Sequence, residues 1–271
     1  MSNTKHGVAL VTGASSGIGL ATARALEREG YRVFGTSRKA VPDAASGMTM
    51  LVCDVTDEES VRRMVADVVS QAGRIDLLVN NAGSGLIGGA EESSVDQAKT
   101  LFEVNVFGVM RVTNEVLPVM RRQGGGRIIN MSSVVGFLPS PFSALYSSTK
   151  HAIEGYSESL DHEVRTDGIR VLLVEPAFTR TSFEQNATQP DRMLGIYEKA
   201  RASMNAVWNS AIETGDAPET VAATVVTATA ATSPKLRYPA GKRARRLRLL
   251  RRLVPSSAFD QSLRKQMNLP V

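Results

Sequence analysis

Short apolar runs alternate with stretches of helical periodicity along almost the whole chain. Val8-Ala9-Leu10-Val11, residues 32–36, Met50-Leu51-Val52, Leu77-Leu78-Val79, Arg127-Ile128-Ile129 and Val171-Leu172-Leu173-Val174 have the length and continuity of strands buried on both faces. Between them, residues 18–29, 58–71, 97–122 and 146–165 carry apolar positions at helical spacing, with an interruption expected inside 97–122. Strands that alternate with helices predict a parallel sheet flanked by helices, a single doubly wound α/β domain.

Punctuation agrees with this register. Gly30 follows the first helical segment as a carboxy-terminal cap, Thr56-Asp57-Glu58-Glu59 matches a capping box ahead of Val61, and Gly73 ends that helix. Pro218 opens a further helix to about residue 231, and Arg237-Tyr238-Pro239 reads as a last short strand. No repeat or low-complexity tract occurs, and no linker precedes about residue 232. The expected division is a catalytic domain over 1–241, with a lid at about 178–212, and a basic helical extension over 242–271.

Composition narrows the chemistry. The 271 residues are 42% hydrophobic, and the single cysteine, Cys53, excludes an intrachain disulfide. Cys53 closes an apolar run, which favours a buried structural thiol over a reactive one. Three histidines and one cysteine show no ligand spacing, so no metal is expected. A strand beginning by Gly7 leaves no room for a signal peptide, and no apolar run has the length of a membrane span; the expected compartment is the cytoplasm. The net charge of +5 conceals an asymmetry: residues 235–265 hold eleven Lys/Arg and one acid, Asp260, leaving the rest of the chain mildly acidic.

Candidate chemistry begins at Thr12-Gly13-Ala14-Ser15-Ser16-Gly17-Ile18-Gly19, directly between the first strand and the first helix. Glycines there allow a tight turn and close approach of a pyrophosphate, and the helix amino terminus offers free amides and a favourable dipole. Gly13, Ser15, Ser16, Gly17, Ile18 and Gly19 are therefore candidate dinucleotide contacts; a ligand-free βα turn is the alternative. At the end of the second strand stand Ser37-Arg38-Lys39, with no acid before Asp43. A basic residue there suits a ribose 2′-phosphate, so Ser37 and Arg38 point to NADP(H) rather than NAD(H), against a merely solvated basic turn.

Tyr146 and Lys150 lie four apart in a helical segment and so share one face, with Ser133 thirteen residues before the tyrosine. A phenol titrates too high for proton transfer near neutrality; a nearby ammonium is expected to lower it, by about three pH units for roughly 4 kcal/mol.

Together these segments resemble the short-chain dehydrogenase/reductase family over nearly residues 5–240. The resemblance rests on Thr12-Gly13-x-x-x-Gly17-x-Gly19, Asp54-Val55, Asn80-Asn81-Ala82-Gly83, Asn105, Ser132-Ser133, Tyr146-x-x-x-Lys150 and the segment Glu175-Pro176-Ala177-Phe178-Thr179-Arg180-Thr181. It implies a Rossmann fold, Tyr146 as general acid/base, Ser133 (in preference to Ser132) on the substrate oxygen, Lys150 on the nicotinamide ribose, and Asn105 placing a water in a proton relay. It also implies cofactor contacts from Asp54, Val55, Asn81, Ala82, Gly83, Tyr146, Lys150, Pro176 and Thr181, with Thr179 a close competitor. Asp54 has a second reading as a strand-end acid; for Asn81 a structural role is the preferred reading, with Ala82 and Gly83 the ones expected to approach the ligand. Ala177 departs from the family's usual glycine, so the backbone there must avoid glycine-only conformations.

Substrate contacts are expected from residues 83–90, 136–145 and 178–212, which hold Leu86, Phe137, Leu138, Phe142, Phe178, Phe183, Met193, Ile196, Tyr197 and Trp208. About half of these should simply pack the lid, and the remainder suit an apolar aldehyde, ketone or secondary alcohol. Residues 175–178 and 238–242 look similar to members acting on steroids, retinoids and related lipids. The basic stretch 243–253 is amphipathic, with Leu247, Leu250 and Val254 on one face. It is expected to pack through its leucines; peripheral contact with an anionic membrane is the next reading, and nucleic acid is the least favoured. A homodimer or homotetramer follows from the resemblance, and a non-catalytic NADP(H) sensor is the competing functional class.

Overall fold

The computed structural model describes residues 7–40, 47–266 and 269. Seven parallel strands form one sheet: β1 (Val8–Val11), β2 (Arg32–Ser37), β3 (Thr49–Val52), β4 (Leu77–Asn80), β5 (Gly126–Met131), β6 (Ile169–Pro176) and β7 (Arg237–Ala240). Their order is β3-β2-β1-β4-β5-β6-β7. The chain winds outward from β1 in one direction and then resumes at β4 in the other. The resulting crevice beyond the carboxyl ends of β1 and β4 is where open α/β sheets bind ligands.

Strand side chains alternate between two cores. Val8 and Leu10 of β1, with Ile169 and Val171 of β6, pack toward α2 (Glu58–Ala72), through Val61, Met64, Val65 and Val68. Ala9 and Val11, with Leu172 and Val174, pack on the opposite face beneath Ala23 and Leu26 of α1 (Gly17–Arg28) and Val221 and Val225 of α7 (Pro218–Ala230). That two-sided burial is why these strands read as unbroken apolar runs. Between the faces, Asn80 donates to Asn130 at 2.9 Å and Asn130 donates to Ser157 at 2.8 Å, a fully buried polar link across the sheet centre.

The interrupted helix resolves into α3 (Val95–Phe102), a π turn over Glu103–Phe107, and α4 (Gly108–Arg122). The long α5 (Ala144–Val164) follows β5, and α6 (Glu198–Glu213) precedes α7. One cap differs from the expectation. The amino-terminal cap of α2 is Asp57, whose carboxylate accepts from the Glu59 amide at 3.0 Å. Thr56 is withdrawn from the capping box because its amide and hydroxyl both bond Asp54, at 2.9 and 2.8 Å. Gly73 closes the helix in the left-handed region, as a cap glycine should.

After β7 the chain forms α8 (Gly241–Leu253) and α9 (Ser256–Gln266). Ala244 and Leu247 pack with Val134 and Leu138, while the Arg248 guanidinium lies 5.2 Å from the centre of the Phe137 ring. The expected leucine face is therefore only partly right. Leu247 and Val254 are half-buried, but Leu250 is 37% exposed; Leu249 and Leu253, outside the expected face, are exposed at 58% and 68%.

Candidate active site

The glycine turn is built by the protein's own packing. A methyl on Gly19 would lie 2.1 Å from the Gly13 carbonyl oxygen, and one on Gly13 would lie 3.0 Å from the Ala82 Cα. Gly17 adopts φ +54 at the start of α1. Asn81 locks the turn, donating to the carbonyls of Thr12 and Gly13 at 3.0 and 3.1 Å, and Thr12 Oγ1 accepts from the amides of both Asn81 and Ala82 at 3.0 Å. Asn81 thus holds the turn from within the protein, in line with its preferred structural reading; Thr12 is an anchor the spacing argument did not single out.

The same turn suits an anion. Ser16 is the amino-terminal cap of α1, yet its side chain makes no capping bond, and no acid stands in the first turn. Ser15 and Ser16 are exposed. The first amides of α1 and the helix dipole are thereby left for a pyrophosphate group, which fits a dinucleotide. Thr181 covers this turn, its methyl 3.4 Å from the space a side chain at Gly17 would fill. Thr179 is buried away from it, and its hydroxyl donates to the Ala177 carbonyl at 3.1 Å. Of the two threonines, Thr181 is the one beside the glycine turn. Ala177 has an ordinary negative φ, so the missing glycine imposes no strain there.

At the end of β2, Arg38 is exposed and close enough to Asp54 to act on its charge. The Asp54 carboxyl is held below its usual range, chiefly by the Thr56 amide, with help from the Thr56 hydroxyl and Arg38. Much of Asp54 is therefore spent on its own turn. Val55 is buried against Gly108, so its side chain belongs to the core. Asp43 lies outside the described residues.

Three elements assemble the reacting groups. Tyr146 is in the first turn of α5, Lys150 is one turn further on, and Ser133 begins the turn after β5. The Ser133 hydroxyl bonds the Tyr146 phenol and also reaches the Pro176 carbonyl at 3.4 Å. Lys150 Nζ sits 5.5 Å from the centre of the Tyr146 ring and donates to the Met131 carbonyl at 2.8 Å. Ser132, by contrast, is fully buried with an unpartnered hydroxyl. Asn105 lies in the π turn, donating to the Ser84 carbonyl at 2.8 Å and to Thr149 at 3.2 Å, while its oxygen accepts the Ser84 amide at 2.8 Å. Both its N–H groups are spent, which makes it a strut between the loop after β4 and α5.

The protonation of the pair departs from the expectation. Burial raises the Tyr146 pKa, the Glu184 carboxylate raises it further, and only the Ser133 bond opposes them. Lys150 is itself pushed down to about 8 by burial, against the favourable field of Glu154. In the protein alone the phenol is therefore raised, and the expected lowering by Lys150 is not seen. Glu184, which nothing in the sequence pattern marked, exerts this effect from the segment after Thr181.

The aromatic candidates divide. The Phe183 ring lies 5.6 Å from the Tyr146 ring, whereas Phe178 packs on Trp208 at 6.2 Å and Phe142 on Tyr197 at 5.7 Å. Leu86 and Leu138 are buried, and Met193 and Ile196 face solvent. Phe142 holds φ +58, the only positive-φ residue other than glycine among those described. Two cavities flank the site. One of about 780 Å³ runs from Gly17 and Thr181 along α1 past Arg24 and Arg28; another of about 280 Å³ lies against Ser84, Leu86 and Thr188. Cys53 is buried, with its thiol pushed up to about 11 by that burial, so it is a structural thiol. Among the described residues no cluster of His, Cys, Asp and Glu is suited to a metal ion, and no helix is long and apolar enough to cross a membrane.

Comparison with known proteins adds three findings. Residues 7–192 match the family model described as short chain dehydrogenase. The chain is 36% identical to the uncharacterized oxidoreductase YusZ of Bacillus subtilis over 96% of its length and 98% of that protein's, and 43% identical to a 3-ketodihydrosphingosine reductase of Bacteroides thetaiotaomicron over 66% of each chain. Its fold matches the crystal structure of a short-chain dehydrogenase from Streptomyces avermitilis with a TM-score of 0.82 and 34% identity, covering 99% of this chain and 96% of that one.

Proposed function

The chain belongs to the short-chain dehydrogenase family and is an oxidoreductase of that type, and from this premise we propose that it is an NADP(H)-dependent reductase of apolar aldehydes or ketones, or a dehydrogenase of the matching secondary alcohols. The observation that carries the proposal is the convergence of Ser133, Tyr146 and Lys150 beside a glycine turn suited to a pyrophosphate.

The cofactor supplies or removes the hydride. The protein's part is to hold a carbonyl oxygen and deliver a proton to it. Ser133 and Tyr146 present two hydroxyls to that oxygen, with the phenol as the acid. A phenol kept protonated by burial is the correct form for donation, and carbonyl reduction consumes that proton. Lys150 carries the nearest positive charge to the phenolate left behind, which stabilises it at close range in a site with little water. Arg38 and Ser37 would hold a ribose 2′-phosphate, which favours NADP(H).

Two further features support an apolar substrate. The tyrosine is walled by Phe183, and one similar protein is named for a keto lipid. On α8, Leu249 and Leu253 are exposed among Lys242, Arg245, Arg246 and Arg252, a face suited to an anionic membrane surface in which such a substrate would dissolve. A homodimer or homotetramer remains part of the proposal. The non-catalytic sensor is less favoured because every group that the chemistry requires is present. Consumption of NADPH with apolar aldehydes and ketones, lost in Tyr146→Phe, is the test.

A further inference from the structure

The basic extension after β7 is built into the segments that carry the reacting groups. At the start of α8, a methyl on Gly241 would lie 2.1 Å from the Asp216 carboxylate. Asp216 in turn is tied to the root of the lid: its amide donates to the Phe178 carbonyl and its carbonyl accepts the Arg180 amide, both at 2.9 Å. Arg243 donates to the Ala211 carbonyl of α6 at 3.2 Å. On the inner face of α8, Ala244 is fully buried with Val134 and Leu138, and Leu247 and Ala177 pack on the same cluster. The helix therefore meets the lid, the turn after Ser133 and the chain leaving β6.

Arg248 grips two of these segments at once. Its guanidinium donates to Glu175 Oε1 at 2.5 Å and lies 5.2 Å from the centre of the Phe137 ring. Glu175 directly precedes Pro176, whose carbonyl accepts the Ser133 hydroxyl at 3.4 Å. Phe137 follows the turn that Ser133 opens, in which the Val135 amide donates to Ser133 Oγ at 3.3 Å and the Gly136 amide to the Ser133 carbonyl at 2.9 Å. On its other side the turn is packed without slack, because a methyl on Gly136 would lie 2.6 Å from Ser132 Oγ and 3.0 Å from Glu154 Cγ. Arg237 does not replace Arg248. It stands 3.6 Å from Glu175 and is committed to Glu154 and Glu158, each at 2.9 Å.

We propose that Arg248 is a positioning residue for Ser133, and that α8 is a wall of the active site. Ser133 and Tyr146 must direct two hydroxyls at one carbonyl oxygen, and small displacements of such donors cost rate. The planar guanidinium fixes the Ser133 turn by its face, against Phe137, and the end of β6 by its edge, through Glu175. This rests on the reductase assignment proposed above and adds to it a residue that acts through Ser133.

Arg248→Ala and Arg248→Met, the second keeping an apolar chain against Phe137, test it with dodecan-2-one and NADPH. At pH 6.5 a Glu175 that has lost its arginine can hold a proton and stay buried. Each variant should lose about tenfold to a hundredfold in kcat, with the KM for the ketone and the NADPH dissociation constant changed by less than about twofold. Arg248→Lys, which keeps a donor for Glu175, should recover kcat to within about threefold of wild type. Full kcat in both the Ala and Met variants would overturn the proposal, as would a loss that falls equally on NADPH binding. If the wild type does not turn the ketone over, the reductase assignment fails, and hydrogen exchange decides the role of Arg248. Amides of residues 133–138 should then exchange about tenfold faster in Arg248→Met while those of 171–174 stay protected. Unchanged exchange at 133–138 would overturn it.

Discussion

Replacing Glu175 by Gln should remove a large part of the pH dependence of folding. Glu175 is fully buried near the end of β6, its Oε1 bonded to Arg248 of α8 and 3.6 Å from Arg237 Nε, while Oε2 has no partner. Glu154, also buried, competes for Arg237 at 2.9 Å and keeps one unpartnered oxygen of its own. Burial first, and the charge of Glu154 second, push Glu175 up from 4.5 to about 7 despite the two arginines. The folded carboxyl thus keeps a proton that the unfolded chain has already released. Because the folded value is the higher one, the resulting stability is full below the unfolded value of 4.5 and is lost as pH rises through about 7. The gap between the two corresponds to ~3 kcal/mol. Glutamine has the same shape and does not titrate. The Tm of Glu175→Gln relative to wild type should therefore rise by roughly 5–10 °C between pH 5 and pH 8.5. Thermal melts of both proteins at five pH values would measure it. A Tm difference that stays flat across that range would refute the buried-charge reasoning.

Arg38→Ala should weaken NADPH by about tenfold to a hundredfold, or ~1.4–2.8 kcal/mol, with little change in NADH affinity. Equal losses for both cofactors, measured by fluorescence titration, would remove the phosphate-pairing argument. On vesicles containing phosphatidylserine, the wild type should be retained at low salt and released at 0.5 M salt. Leu249→Ser with Leu253→Ser should bind at least fivefold more weakly, and unchanged retention in sedimentation would exclude α8 as the contact.

The strands were legible because burial on both faces leaves unbroken apolar runs, and the glycine turn was legible because its constraint is local. The break in the 97–122 helix was also visible, and its π turn sets Asn105 inside the protein. Other features depended on distant partners. Thr56 matches a cap in sequence, but Asp54 claims it and Asp57 takes its place. The direction of the Tyr146 shift could not be inferred from Lys150 because burial of the phenol sets it, and the charge of Glu184, from a turn thirty-eight residues later, adds to it. Likewise, Glu154 and Glu175 become a buried acidic pair only when Arg237 and Arg248 return across the sheet edge. On α8, helical spacing grouped Leu247, Leu250 and Val254, but it could not tell that Ala244 would set the inner face beside Leu247 and leave Leu250 at its exposed edge.

The most direct test of the reductase assignment is NADPH oxidation with a series of apolar aldehydes and ketones, run beside Tyr146→Phe. Turnover in the wild type, at least a thousandfold lower in the variant with NADPH affinity retained, is the predicted result. Equal turnover by the two proteins would contradict proton delivery from Tyr146 and with it the proposed chemistry of the site.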